Sequence, residues 1–78
     1  MITVYTKSNC MPCRLTKRKL DDLGVEYQEV NLEDNPTALQ ELQALGVSAA
    51  PAVEVDGAIV ATGFQPGVLK GLAAEQAA

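Results

Sequence analysis

The apolar positions of this chain fall into short clusters whose period changes along the sequence. Ile2, Thr3, Val4 and Tyr5 are β-formers in an unbroken run, which predicts a strand over Ile2–Tyr5. Lys7-Ser8-Asn9 then interrupts with three polar residues. From Pro12 onward the spacing becomes helical. Cys13, Thr16, Leu20 and Leu23 share one face, and Gly24 supplies the stop. Pro12 suits the first turn, where its missing N–H costs nothing. This frame turns Cys13 inward and leaves Cys10 at the exposed tip of the helix.

Val25 to Leu32 alternates imperfectly, and Val25-Tyr27 with Val30-Leu32 predicts a second strand. Asn35 as N-cap and Pro36 as the first helical residue open a second helix. Its stripe of Ala38, Leu39, Leu42 and Leu45 ends at Gly46. Ala52–Val55 and Ala58–Thr62 predict two strands, and Asp56-Gly57 between them is a two-residue hairpin signal. A last helix is predicted from Pro66 to about Ala74, with Ala73 to Ala78 fraying. The order is β-α-β-α-β-β-α. A helical crossover makes the first two strands parallel, and the hairpin is antiparallel. The prediction is an α/β fold: a four-stranded mixed sheet flanked by three helices, in one domain over residues 1–78. No internal repeat or linker interrupts it.

A chain of 78 residues buries only about 60% of its unfolded surface, so the core has to be compact. The net charge of −4 argues against nucleic acid as a partner. No apolar run approaches the roughly 20 residues that span a bilayer, and Met1 to Thr6 is too polar for a signal peptide. The expected setting is therefore cytoplasmic and reducing. A monomer is expected, because no apolar stripe is left over once sheet and helices are covered. The charge is unevenly placed. Lys7, Arg14, Lys17, Arg18 and Lys19 lie in the first nineteen residues, only Lys70 comes later, and every acid lies at Asp21 or beyond.

These cations surround the two cysteines, Cys10 and Cys13, which frame Cys10-Met11-Pro12-Cys13. In a reducing compartment such a pair is more often catalytic or metal-binding than structural. A structural disulfide here would close too small a loop to constrain the unfolded chain much. Structural zinc wants four Cys or His ligands, and the chain has two Cys and no His, so no metal is expected. Inert core thiols fit Cys13 but not Cys10 at a helix tip. The helix N-terminus favours thiolate over thiol, which makes the pair a dithiol–disulfide couple. Cys10 is the expected nucleophile and Cys13 the resolving thiol, with a reductase to regenerate the dithiol. Without His there is no imidazole base for a Cys-His protease or acyl transferase.

The helix charges bear on the same point. Arg14, Lys17 and Arg18 occupy its N-terminal half and Asp21 and Asp22 its end, which opposes the macrodipole by about 0.3–1 kcal/mol per charge. Lys17–Asp21 and Arg18–Asp22 pairs are expected to offset part of this. The alternatives are a merely solvated charged face, or a positive field that lowers the Cys10 pKa and attracts an acidic partner surface.

Four segments together resemble the glutaredoxin branch of the thioredoxin fold, and within it the NrdH-redoxins. They are Val4-Tyr5-Thr6-Lys7, Cys10-Met11-Pro12-Cys13, Ala50-Pro51-Ala52-Val53 and Thr62-Gly63-Phe64-Gln65-Pro66. The resemblance implies a cis-proline at Pro51 facing the cysteines, although composition alone favours trans. It implies that the Ala50 backbone receives an extended substrate peptide, and that Gly63 and Phe64 lie beside the site rather than forming a strand end with one buried aromatic. It implies no bound cofactor. Electrons would come from NADPH through thioredoxin reductase and pass to the large subunit of class Ib ribonucleotide reductase or to other protein disulfides. Glutathione-using relatives carry an acidic pair near the last helix. Here Gly63-Phe64-Gln65-Pro66-Gly67 has none, so poor glutathione binding is expected. The chain departs from the NrdH pattern at Ala61, Gln65 and Gly67, which shape the partner surface. Lys7, Arg14, Lys17, Gly63, Phe64 and Gln65 are the expected partner-binding residues. Pro12 before Cys13 is thioredoxin-like. It withholds one N–H from the Cys10 sulfur, so a modestly lowered pKa and a reducing potential are expected. A glutathione-driven redoxin, an iron–sulfur carrier and a non-catalytic adaptor are the competing readings.

Overall fold

Seven elements form in the expected order in the computed structural model, which describes residues 1–77, with side chains through Glu75. They are β1 (Ile2–Thr6), α1 (Met11–Asp22), β2 (Gln28–Asn31), α2 (Pro36–Ala44), β3 (Ala52–Val55), β4 (Ala58–Thr62) and α3 (Pro66–Ala77). The sheet order is β2-β1-β3-β4. β1 runs parallel to β2, with Thr6 opposite Asn31, and antiparallel to β3, with Val4 opposite Val53. β3 and β4 form the hairpin. Asp56 and Gly57 both take positive φ, the turn whose twist matches the flanking strands. Val60 is left out of the β3–β4 register, so this edge strand carries a bulge.

The period-2 pattern of β1 divides the core. Ile2, Val4 and Thr6 point to one face, where Leu20 of α1, Val53, Ala61, and Leu69 and Leu72 of α3 close over them. Tyr5 points to the other face, toward Leu32, Leu39, Leu42 and Ile59 under α2. Each fully buried aliphatic side chain contributes about 1.5–3 kcal/mol, so this two-sided burial holds the sheet. Thr6 and Thr16 are the buried polar residues, and both hydroxyls have partners.

Local signals at the helix ends differ from expectation in instructive ways. α1 ends as predicted at Gly24, whose φ of +70° permits a paired closure. Gly24 N–H donates to Asp21 O and Val25 N–H to Leu20 O. That closure consumes Val25, so the second strand begins at Gln28 rather than at Val25. The same bonding closes α2, with Gly46 N–H to Gln43 O and Val47 N–H to Leu42 O. Leu45 at the cap is thereby turned out, 67% exposed, and Val47 replaces it in the apolar stripe. Asn35 holds the N-cap position, but its side chain donates back to Asn31 O instead of capping. α3 continues past the expected Ala74 to Ala77, so the predicted fraying does not begin at Ala73; Ala78 lies outside the described residues. Among the described residues no helix is long and apolar enough to cross a membrane.

Candidate redox site

β1 carries the chain to Thr6, and a three-residue loop then turns it into α1. Asn9 makes the turn with φ 55°, a region that asparagine tolerates better than most side chains. The next residue, Cys10, is the N-cap of α1 in extended conformation. Its sulfur takes the role of a capping oxygen, accepting the Cys13 N–H at 3.2 Å. Pro12 stands between them and donates nothing. The Cys10 carbonyl accepts the first helical bond, from Arg14 N–H. Cys10 and Cys13 are joined by a disulfide, with Cα atoms 5.2 Å apart. Cys13 is 1% exposed, as the helical frame predicted, whereas Cys10 is half-buried at the helix tip rather than fully exposed.

The wall opposite is the α2–β3 loop. The Ala50–Pro51 peptide is cis, as the family resemblance implied, and Pro51 is fully buried. The Ala50 carbonyl oxygen lies 3.9 Å from Cys10 Sγ. Gly63, at the end of β4, donates its N–H to Pro51 O at 2.8 Å and ties the third segment to the wall. Phe64 follows and is 37% exposed, which removes the buried-aromatic alternative. Met11 and Leu15, one turn apart on α1, are also exposed. The expectation that no apolar surface remains is therefore corrected. Met11 and Leu15 near the start of α1, and Phe64 beside Gly63, leave apolar side chains in solvent. Gln65 folds its amide back onto Thr62 O at 2.7 Å.

The cations separate into two groups. Lys7 and Arg14 are exposed and have no carboxylate partner among the described residues. Lys17 instead pairs with Glu29 of β2 at 3.0 Å, and neither expected pair with Asp21 or Asp22 forms. The buried hydroxyl of Thr6 donates to the same Glu29 oxygen at 2.9 Å. Burial raises the Glu29 pKa, but the bonds from Lys17 and Thr6 outweigh it and hold the carboxyl below its ordinary value. Thr6 lies within a motif already singled out, but Glu29 was missed. Its partners come from β1 and α1, and no local spacing announces them. Among the described residues no three metal-ligating side chains cluster.

A sulfur at a helix N-terminus, fed by a backbone N–H, is stabilised as an anion. The second sulfur sits within disulfide reach and is shielded from solvent.

Comparison with known proteins agrees with this chemistry. The glutaredoxin family model matches residues 2–60. Glutaredoxin-like protein NrdH of Lactococcus lactis subsp. cremoris is 34% identical over 73 residues, covering 94% of this chain and 100% of that protein. Its counterpart from Salmonella typhimurium is 37% identical over 71 residues, covering 91% and 86%. The solved structure of the glutaredoxin-like protein NrdH-redoxin from Escherichia coli matches with a TM-score of 0.86 at 31% identity, over 91% of this chain and 92% of that one. The fold is thus the thioredoxin/glutaredoxin-like fold that the sequence predicts. At this identity and coverage the chain belongs to the glutaredoxin family, and within it to the NrdH-redoxins, as a thiol–disulfide oxidoreductase.

Proposed function

We propose that this protein is a cytoplasmic dithiol electron donor, reduced by thioredoxin reductase at the expense of NADPH and reducing the large subunit of class Ib ribonucleotide reductase. The observation that carries the reading is the pairing of a half-buried Cys10, whose sulfur accepts the Cys13 N–H at the helix tip, with a Cys13 that is 1% exposed. Cys10 thiolate attacks one sulfur of the substrate disulfide. That bond breaks, a mixed disulfide forms, and the first substrate thiolate leaves and takes up a proton. Cys13, as thiolate, then attacks Cys10 Sγ and expels the second substrate thiolate, which is protonated in turn. Two electrons and two protons pass to the substrate, and the Cys10–Cys13 disulfide remains for the reductase. Support for the thioredoxin-type partner comes from the Escherichia coli relative, described as having a thioredoxin-like activity profile.

A glutathione-driven cycle is the nearest rival. It is disfavoured because Gly63 to Gly67 presents no carboxylate to the tripeptide's ammonium, and the Gln65 amide is already engaged with Thr62. The test is NADPH oxidation with thioredoxin reductase and a protein disulfide, run beside glutathione with glutathione reductase. Turnover only in the second system defeats the proposal. Cys13→Ser stops the cycle at the mixed disulfide and should trap the ribonucleotide reductase subunit covalently on Cys10. Failure to trap it removes that partner.

A further inference from the structure

We infer that the cavity beneath the C-terminal end of α2 is a subsite for the substrate polypeptide, taking an aliphatic side chain that neighbours its disulfide and has a carboxylate close by. The inference rests on the dithiol-donor reading above. The cavity measures about 70 Å³. Leu32, Leu39, Leu42 and Val47 line it together with Lys7, Gln43 and Ser48. The closure of α2 accounts for the space: Leu45, which continues the helical stripe, is turned into solvent, and Val47 is too small to fill the place. The volume exceeds what one water needs, about 10–15 Å³, but the wall is mostly apolar despite Lys7, Gln43 and Ser48, and its aliphatic part offers water no partners. An apolar occupant is therefore favoured.

Two observations identify that occupant as substrate. Ala49 also lines the cavity, and the next residue, Ala50, holds its carbonyl 3.9 Å from Cys10 Sγ. A strand lying along Ala50 advances about 3.3 Å per residue, so a side chain one or two residues from the attacked cysteine reaches the opening. Lys7 supplies the charge. It is exposed and has no carboxylate partner among the described residues; Glu33, whose carboxylate accepts the Ser8 N–H at 3.2 Å, does not pair with it. An acidic side chain or a chain-terminal carboxylate satisfies Lys7 equally.

The experiment is single-turnover reduction of synthetic disulfide peptides by the dithiol form. One peptide has leucine two residues from its cysteine followed by aspartate. Others replace leucine by serine, aspartate by asparagine, or aspartate by a free chain end. Serine should lower the second-order rate constant at least about tenfold, the usual discrimination for an aliphatic group in an apolar pocket. Asparagine should lower it about two- to threefold at low salt and less at high salt, and the free chain end should restore it if it substitutes for aspartate. In Lys7→Gln the carboxylate effect should vanish while the leucine effect persists. Equal rates for the leucine and serine peptides overturn the subsite. Reduction of neutral hydroxyethyl disulfide, measured alongside, reports the redox reading separately. If that reaction fails too, both readings fall; if it proceeds while the peptides are not distinguished, the subsite alone falls.

Discussion

Replacing Pro12 with alanine tests how the helix end controls the nucleophile. Cys10 is the N-cap, and a capping side chain accepts from the second or third helical N–H. The third, from Cys13, already donates at 3.2 Å. The second belongs to Pro12 and does not exist. Pro12→Ala creates it, pointing at the same sulfur. A hydrogen bond to a charged acceptor contributes about 1.5–3 kcal/mol, and one pKa unit corresponds to about 1.4 kcal/mol. The geometry at the tip is shared and partly solvated, so the lower figure applies, and the Cys10 pKa should fall by about one unit. Stabilising the thiolate stabilises the reduced form. The reduction potential should therefore rise, by at most about 30 mV, making the protein a weaker donor. The pKa is read from the pH dependence of Cys10 alkylation in a Cys13→Ser background, and the potential from equilibration of the unmodified pair with a dithiol buffer. An unchanged or raised pKa in a variant of normal secondary structure refutes the claim that the missing amide matters.

Glu29→Gln removes a negative charge from the β2 strand beside α1 and leaves Lys17 unpaired, so the Cys10 pKa should fall by about a few tenths of a unit at low salt and less at high salt; a rise would contradict this. Because the Glu29 pKa is lowered in the folded protein, its contribution to stability is present above the ordinary carboxylate value and is lost as pH falls through the lowered one. Acid denaturation curves of the parent and of Glu29→Gln should converge at low pH. Tyr5, hydrogen-bonded to Glu54 and then desolvated, and Tyr27, desolvated and then facing the nearby Asp21 carboxylate, are both pushed up to about 12. Raised values mean that their share of stability is complete below pH 10 and is lost as pH rises through about 12. Phenolate absorbance should show little ionisation at pH 10; a midpoint there overturns both assignments. Leu20→Ala, at a site 0% exposed between sheet and helices, should cost about 2–5 kcal/mol in denaturant unfolding, and a loss below about 1 kcal/mol contradicts the core assignment.

Much of the fold was legible because its signals are local. Pro12 and Pro36 open helices, Gly24 and Gly46 close them, and Asp56-Gly57 makes a hairpin wherever it sits between strand-formers. The misses have one physical origin, a backbone or charge partner chosen from elsewhere. Val25 reads as a strand residue, yet its amide is taken by Leu20 O. Leu45 fits the helical stripe, but the paired closure at Gly46 rotates it outward. Lys17 has Asp21 one turn away, yet it goes to Glu29, whose carboxylate is already fixed by the Thr6 hydroxyl. At the site, Cys10 and Cys13 were evident from spacing and the absence of histidine. The cis bond at Pro51 was visible only through family resemblance, since nothing in Ala49-Ala50-Pro51 favours it locally. The cavity beside Lys7 has no signature in sequence at all, because it is the space three leucines and a valine fail to fill.

The site is stitched from three stretches far apart in the chain: the turn after β1, the entry to β3 and the exit from β4. The two thiols, being three residues apart, remain neighbours even in a denatured chain. Chain separation alone would let them close on each other before the rest of the molecule has formed. On the proposed reading, discrimination among disulfides needs Ala50 and Gly63 in place, and these reach the site only when the antiparallel half of the sheet pairs with β1. On that reading a nascent or damaged copy would therefore be a thiol reagent without selectivity, and the pairing of the sheet is what completes the donor.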